Sequence, residues 1–363
     1  MSAVSKQNLQ KNVVYVGLSG GVDSAVAAAL LKQQGYEVVG VFIKIWQPQW
    51  GECNWQEDKR DAMKVAMHLN IKFKTLDLSD RYQKEVVHYM IKEYKAGRTP
   101  NPDVMCNTQI KFGDFLQWSL SQGADFVATG HYARVEREKK QVRLLAGVDN
   151  SKDQSYFLWQ LKQAQLKYCL FPIGQYKKIQ VRALAKKLGL PTATKKDSQG
   201  ICFVGNIGMK DFLKKYIKPK RGQVLNEHKE VIGYHEGAFF LTIGQRRGFT
   251  ITRKGVNDEP YYVINKNIKQ NTITVAFKKT AHKLTHNNII FIKQINWIAD
   301  KPKLNMSYQA RFRHLQARQK CKLHKQGVGS YEVRFTKKQI GIASGQSLVL
   351  YNKQVCLGGG IIN

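Results

Sequence analysis

The stretch VVYVGLSGGVDSAVAAALLKQQG, residues 13–35, constrains the fold more than any other part of the chain. Val13 to Leu18 is short, β-branched and continuously apolar, the pattern of a strand buried on both faces. Ala25 to Gln34, rich in Ala and Leu and closed by Gly35, reads as a helix. Between them Gly20 and Gly21 let the backbone curl and approach a ligand with no Cβ in the way. Ser19 and Ser24 add hydroxyl donors, and a helix start presents unpaired N–H groups to negative charge. Strand, glycine turn and helix in this order make a phosphate cradle. It is not a Walker A loop, because Asp23 and Ser24 stand where Lys-Ser or Lys-Thr would be. Nor does GLSGGV supply the third glycine of a dinucleotide fingerprint.

The alternation continues. Strand EVVGVFIKIW, helix WQEDKRDAMKVAMHL, strand KFKTLDL and helix DRYQKEVVHYMIKEYKAG follow, then helix TQIKFGDFLQWSLSQG and strand DFVATG. Such a series implies a parallel sheet covered on both faces, with ligands at the carboxyl ends of its strands. GHYARVEREKKQVRLLAG reads as a polar hairpin inserted into that domain, and YKKIQVRALAKKLGLP as a further helix. From about residue 206 a short helix, GMKDFLKKYI, leads into short strands with turn signals. The last part, with NNIIFIKQINWI, MSYQARFRH, SYEVRFTKK and QSLVLYNKQVCLGGGII, reads as a small antiparallel barrel. The expected division is an α/β nucleotide-binding domain over residues 1–205, a small mixed α+β domain over 206–277 and a C-terminal antiparallel β-barrel over 278–363.

Charge narrows the partners. The 363 residues carry a formal net charge of +33. No apolar run approaches the roughly 18 residues of a membrane span, and MSAVSKQNLQK lacks the apolar core of a secretory signal. The expectation is a soluble cytosolic protein with a polyanionic partner, set against a genome whose composition drifts every protein basic. Distribution favours nucleic acid: residues 278–363 hold 16 Lys and Arg against 2 Asp and Glu. Aromatics interleave with that charge in SYQARFRHLQARQKCKLHK, as suits phosphate contact with base stacking.

Six cysteines stand at 53, 106, 169, 202, 321 and 356. Without a secretory signal no disulfide framework is expected, and no C-x-x-C pair offers an all-cysteine zinc site. Cys169, Cys321 and Cys356 read as inert buried thiols; Cys53, in WGECNW, is ambiguous. Cys106 lies in TPNPDVMCNTQIKF, where two prolines set an extended turn before a helix. Cys202 lies in the polar loop KKDSQGICFVG. A thiol beside a helix start or lysines tends toward thiolate, but chemistry alone leaves these two open between reactivity and burial.

SGGVDS resembles the pyrophosphate loop of enzymes that cleave ATP between the α- and β-phosphates. Taken with NPDVMCN, ATGHYAR, KDQSYFL, DSQGICFVG, TIGQRRG and VCLGGGII, which occur in order over nearly the entire chain, it resembles the bacterial tRNA-specific 2-thiouridylases. The resemblance implies sulfur insertion at C2 of the wobble uridine in the tRNAs for Lys, Glu and Gln. It implies that Cys106 is the first catalytic cysteine, Cys202 the persulfide carrier and Asp103 a candidate general acid or base. ATP contacts fall on Gly17, Leu18, Ser19, Gly20, Gly21, Val22, Asp23, Ser24, Ile43 and Gly130, with Asp23 helping to hold Mg²⁺. Ile43 departs from the family's expected Met. Asn101, Pro102 and Asp103 would contact the target base. Lys152, Asp153, Gln154, His131, Arg311, Phe312 and Gln346 would touch tRNA, with a structural imidazole as the alternative for His131.

The implied chemistry has two stages. Uridine O2 leaves poorly until AMP is attached to it; sulfur from a Cys202 persulfide, or sulfide released from it by Cys106, then takes its place. A cysteine desulfurase or sulfur-relay protein would supply that sulfur. An iron–sulfur cluster on Asp103, Cys106 and Cys202 is the alternative for this step. Three other functions compete. An amidotransferase-type ligase needs an ammonia source, and a lysidine-type tRNA synthetase has no use for two loop cysteines. A non-catalytic RNA-binding protein leaves SGGVDS unexplained.

Overall fold

A computed structural model of the chain describes residues 12–48, 50, 55–197, 208–252, 259–285 and 287–363. Its first sheet is parallel throughout. It comprises β1 (Val13–Gly17), β2 (Glu37–Lys44), β3 (Lys72–Asp77), β4 (Phe126–Ala128) and, later in the chain, Cys169–Leu170, in the order β3-β2-β1-β4 with Cys169–Leu170 at the edge. The chain runs outward from β1 to β3, then returns to place β4 on β1's other flank. The gap between the carboxyl ends of β1 and β4 is therefore the topological switch point, where open α/β sheets bind ligands. The helix Val22–Gln33 lies almost wholly in the core, with Ser24 and Ala25 to Leu31 buried. Four of those eight positions are alanine, so the helix backbone can lie close to its neighbours.

Two helices contain stretches of wider π winding, over Gln83–Val87 and Cys106–Asp114. The second begins at Cys106 itself. Such local insertions gather at functional sites because they re-aim the side chains of the turn. That helix starts at Pro102, six residues earlier than the sequence pattern indicated, and continues to Ser121. Proline at its first position needs no N–H partner, and Asn101 caps it by accepting from Val104 N at 3.3 Å.

A polar hairpin, β5 (Ala133–Arg137) with β6 (Val142–Ala146), follows β4. It was expected as an insertion into the α/β domain alone. Instead it also extends the C-terminal sheet, through Val355 with Leu145 and Cys356 with Leu144. The middle region forms its own five-stranded sheet from short strands between Gly222 and Phe277, preceded by the helix Met209–Lys214.

Six strands make the C-terminal barrel: Asn287–Trp297, Ser307–Arg311, Gln319–Gly327, Ser330–Gln339, Ser347–Asn352 and Val355–Ile362. Pairing of the first with the last closes it. The strand Gln319–Gly327 was not picked out in the sequence, where QKCKLHKQG was read only as a basic surface. It is a strand because Cys321 and Leu323 alternate inward against outward Lys320 and Lys322. The three regions meet at one seam. Thr99 N donates to Ser344 O of the barrel at 2.8 Å, and Thr99 Oγ1 lies 3.0 Å from Thr242 Oγ1 of the middle region. Among the described residues no helix is long and apolar enough to cross a membrane.

Candidate active site at the switch point

The loop after β1 is built as its sequence requires. Gly20 has φ +72°, and a Cβ there would fall 2.4 Å from Asp58 O. Gly21 caps the helix in extended conformation. Ser24 Oγ accepts from Ser19 N at 3.2 Å and donates to Gly21 O at 3.1 Å, which pins the curl from inside. Leu18 and Val22 are buried anchors on either side. Gly130, just beyond β4, lies against the same helix start: a Cβ there would sit 2.6 Å from Ser24 N. Gly17 faces Ile43, whose Cδ1 would lie 3.7 Å from an added Cβ. All ten residues expected at ATP thus line one neighbourhood, and Ile43 contributes apolar surface to it.

Asp23 projects from the first turn of that helix into a charged network the sequence did not reveal. Lys178 Nζ lies 2.8 and 2.9 Å from its two carboxylate oxygens, and the Tyr132 hydroxyl donates to Oδ1 at 2.9 Å. Lys178 also meets Asp197 at 2.8 Å, and Asp197 is further paired with Arg182 at 2.5 Å and Lys152 at 3.1 Å. Burial alone would raise the Asp197 carboxyl, but hydrogen bonds from Lys178 and Lys152 outweigh it and hold it down to about 2. Tyr132 is pushed up, first by burial and then by the Asp23 charge, so its hydroxyl stays a donor. One signal for Lys178 was present. It is the first residue of its helix, where the helix dipole disfavours a cation, and Asp149 offsets this by accepting its backbone N–H at 2.9 Å.

The second wall is the start of the Pro102–Ser121 helix. Cys106 is buried, in an apolar cluster with Ile110, Phe212 and Phe240 that Ile43 also joins. Burial pushes the Asp103 carboxyl up, partly offset by Lys111. His131 is buried too, and burial with the Lys111 charge pushes it well below its ordinary value, so the ring is neutral. Its Nδ1 lies 2.7 Å from Thr129 Oγ1, and Phe112 and Phe171 flank the ring. The Lys111 charge thus bears on both Asp103 and His131, another residue the sequence reading passed over. Cys202 and Cys53 lie outside the described residues, as does the Asp103–Cys106–Cys202 ligand set taken as a whole. Cys169, Cys321 and Cys356 are buried, with the latter two thiols pushed up to about 12 by burial.

The residues expected at tRNA divide sharply. Lys152 and Gln154 sit beside the loop network, Gln154 Oε1 accepting from Tyr132 N at 3.0 Å. Asp153 is only 1% exposed and accepts from Arg311 at 2.8 Å, Arg318 at 3.0 Å and the backbone N–H groups of Gly147 and Ser155 at 3.1 Å. Arg311 is 3% and Phe312 1% exposed. With RNA absent, the Arg311 guanidinium and the Phe312 ring both point into the protein. The guanidinium is spent on Asp153 and Tyr351, and the ring packs in the barrel core against Phe335. The Gln346 side chain is partly buried near the seam, and Asn101 is spent as a helix cap. Asp23 is one hard oxygen donor at the mouth of a phosphate loop, which fits Mg²⁺ held mainly by phosphates and water.

Comparison with known proteins agrees with this layout. Family models described as the tRNA methyl transferase HUP domain, its PRC-barrel domain and the aminomethyltransferase β-barrel domain match residues 12–206, 210–277 and 287–362. The tRNA-specific 2-thiouridylase MnmA of Listeria monocytogenes serotype 4a is 44% identical over 96% of this chain and 94% of that protein. That of Methylobacillus flagellatus is 42% identical over 97% and 99%, and MnmA 2 of Geobacillus kaustophilus 43% identical over 96% and 94%. With a glycine loop and an Asn101–Cys106 helix start converging on one switch point, and identity at this level end to end, the chain belongs to the tRNA-specific 2-thiouridylase family.

Proposed function

We propose that this chain is a cytoplasmic tRNA-uridine 2-sulfurtransferase that works in two stages on the wobble uridine of the tRNAs for Lys, Glu and Gln. ATP is held by Gly17–Ser24 with Gly130 and Ile43, and AMP passes to uridine O2 while pyrophosphate stays in the loop. Mg²⁺ at Asp23 supplies charge neutralisation for the phosphates. Lys178, within reach of the same acid, spreads the negative charge that develops as the α–β bond breaks. Asn101, Pro102 and Asp103 frame the target base, which must leave the anticodon stack to reach them. The raised Asp103 carboxyl is suited to hold a proton near the reacting base. Neutral His131 shapes the pocket as an uncharged ring. Cys202 receives sulfur as a persulfide from a donor protein. The Cys106 thiolate attacks the Cys202 sulfur, forming a Cys106–Cys202 disulfide and expelling the terminal sulfur as hydrosulfide, which bonds to C2 as AMP leaves. Where the persulfide itself has already bonded to C2 and expelled AMP, the same attack frees the 2-thiouridine. An external thiol reductant then restores both cysteines. The three functional units are residues 1–205, 206–277 and 278–363.

The observation that carries this reading is that Ile43, beside Gly17 of the loop, packs in the same cluster as Cys106, while Gly130 at the β4 exit lies against the Asp23–Ser24 helix start. The test is nucleoside mass spectrometry after incubation with ATP, Mg²⁺, a persulfide donor and unmodified tRNA. Wild type should form 2-thiouridine. Cys106→Ser should gain one sulfur at Cys202 yet make no product, and Cys202→Ser should gain none. A persulfide on Cys106 with none on Cys202 would reverse the two roles. Product that required iron, held through Asp103 and both cysteines, would replace the persulfide step with a cluster.

A further inference from the structure

The six residues Lys152–Phe157, KDQSYF, join the phosphate-loop network, the Cys106 helix and the barrel. Toward the phosphate loop, Lys152 pairs with Asp197 at 3.1 Å. Gln154 holds Tyr132 from two sides: its Oε1 accepts from Tyr132 N at 3.0 Å, and its own N–H donates to Tyr132 O at 2.9 Å. Tyr132 in turn donates to Asp23. Toward the cysteine helix, Phe157 O accepts from Asn107 Nδ2 at 3.3 Å, one residue beyond Cys106. Toward the barrel, Asp153 takes Arg311 and Arg318. The Tyr156 hydroxyl lies 3.0 Å from Phe312 O and 2.9 Å from Ser347 O, and the Phe157 ring meets His314 at 4.4 Å.

Asp153, Ser155, Tyr156 and Leu158 are buried. A short buried segment bonded at both ends transmits displacement, because close-packed interiors do not absorb it. We propose that Tyr156 and Tyr132 are positioning residues at the two ends of a strap. Through it, RNA seated on the barrel fixes the orientation of Asp23, so that RNA and ATP bind cooperatively. The inference rests on the RNA and ATP reading above and adds to it a coupling between the two sites. Neither tyrosine needs to touch a reacting atom.

The measured quantity is the dissociation constant of an ATP analogue with a methylene bridge between its α- and β-phosphates, by calorimetry, with the full chain alone and saturated with unmodified tRNA. For wild type, RNA should tighten the analogue by about 5- to 150-fold, and by linkage the analogue should tighten RNA by the same ratio. Tyr156→Phe keeps the ring and loses the hydroxyl's bonds to Phe312 O and Ser347 O of the barrel together with its contact to the Asn101 side chain. Its ratio should fall to within roughly twofold of one, while each ligand measured alone binds within roughly twofold of wild type. Arg318→Gln, which leaves Asp153 paired with Arg311, should lower the ratio in the same direction. A wild-type ratio of one, or full wild-type ratios in both variants, overturns the strap. Formation of 2-thiouridine is followed on the same wild-type preparation. Its absence overturns the activity reading and the strap with it, whereas product formation with unaltered ratios in the variants overturns the strap alone.

Discussion

Two aspartates, Asp23 and Asp153, each accept from cations at 2.8 Å, yet they sit in opposite physical regimes. The Asp23 side chain is 32% exposed beside a glycine loop, and its partner Lys178 has a second acid, Asp197, to fall back on. That pair can part at little cost, since a solvent-reachable ion pair contributes about 0–1 kcal/mol. Asp153 is 1% exposed, and both carboxylate oxygens are committed to buried or half-buried donors. Parting it from Arg311 would strand a charge in the interior. The comparison teaches that burial, more than distance, separates an acid that can take a ligand from one that holds the fold.

The largest expected effect tests the locked side. Arg311→Ala should cost about 3–5 kcal/mol in chemical denaturation, because it leaves Asp153 short of a partner in the interior, and Phe312→Ala about 3–5 kcal/mol as a core cavity. If instead both variants kept wild-type stability and lost only RNA affinity, the structural role of these two buried side chains would fail.

Next comes the poised side. Asp23→Asn should lower tRNA-dependent pyrophosphate release on the order of a hundredfold or more. Its denaturation midpoint should stay within about 0.5 kcal/mol of wild type, as for a surface change. A large stability loss here would erase the contrast between the two acids.

Acid should sharpen it further. The Asp197 carboxyl is held from its ordinary 3.8 down to about 2. A depressed carboxyl stabilises fully above its unfolded value and loses that contribution as pH falls through the folded one. The stability difference between wild type and Asp197→Asn should therefore be flat near neutrality and vanish between pH about 4 and about 2. For a partly exposed group the difference stays below about 1 kcal/mol. A difference that grew on acidification would remove the ion-pair account. The smallest effect is a near-zero: Cys321 and Cys356, held up to about 12, should resist alkylation at pH 8 in the folded protein. Rapid labelling of either by intact-mass measurement would show the barrel opening on that timescale.

Much of this was readable from the chain alone. Gly20, Gly21 and Asp23 declare the phosphate loop because its curl is a local backbone requirement, and local requirements are written in consecutive residues. The β/α alternation declares the parallel sheet for the same reason, and the ordered motifs carried the family. Interleaved charge and aromatics in SYQARFRHLQARQKCKLHK pointed to nucleic acid, but composition has no direction. Only tertiary packing decides that Arg311, at the end of its strand, and Phe312, just past it, are both buried, and only strand pleat that Cys321 and Leu323 point inward while Lys320 and Lys322 point out. Likewise Lys178 is 155 residues from Asp23, and Arg311 158 from Asp153. No spacing rule spans such separations, so these partners existed only once the sheet order and barrel closure brought them together. The sequence determined which chemistry was present and where the backbone had to bend. The tertiary structure decided which charges water can still reach, because desolvation belongs to a packed neighbourhood and to no single residue.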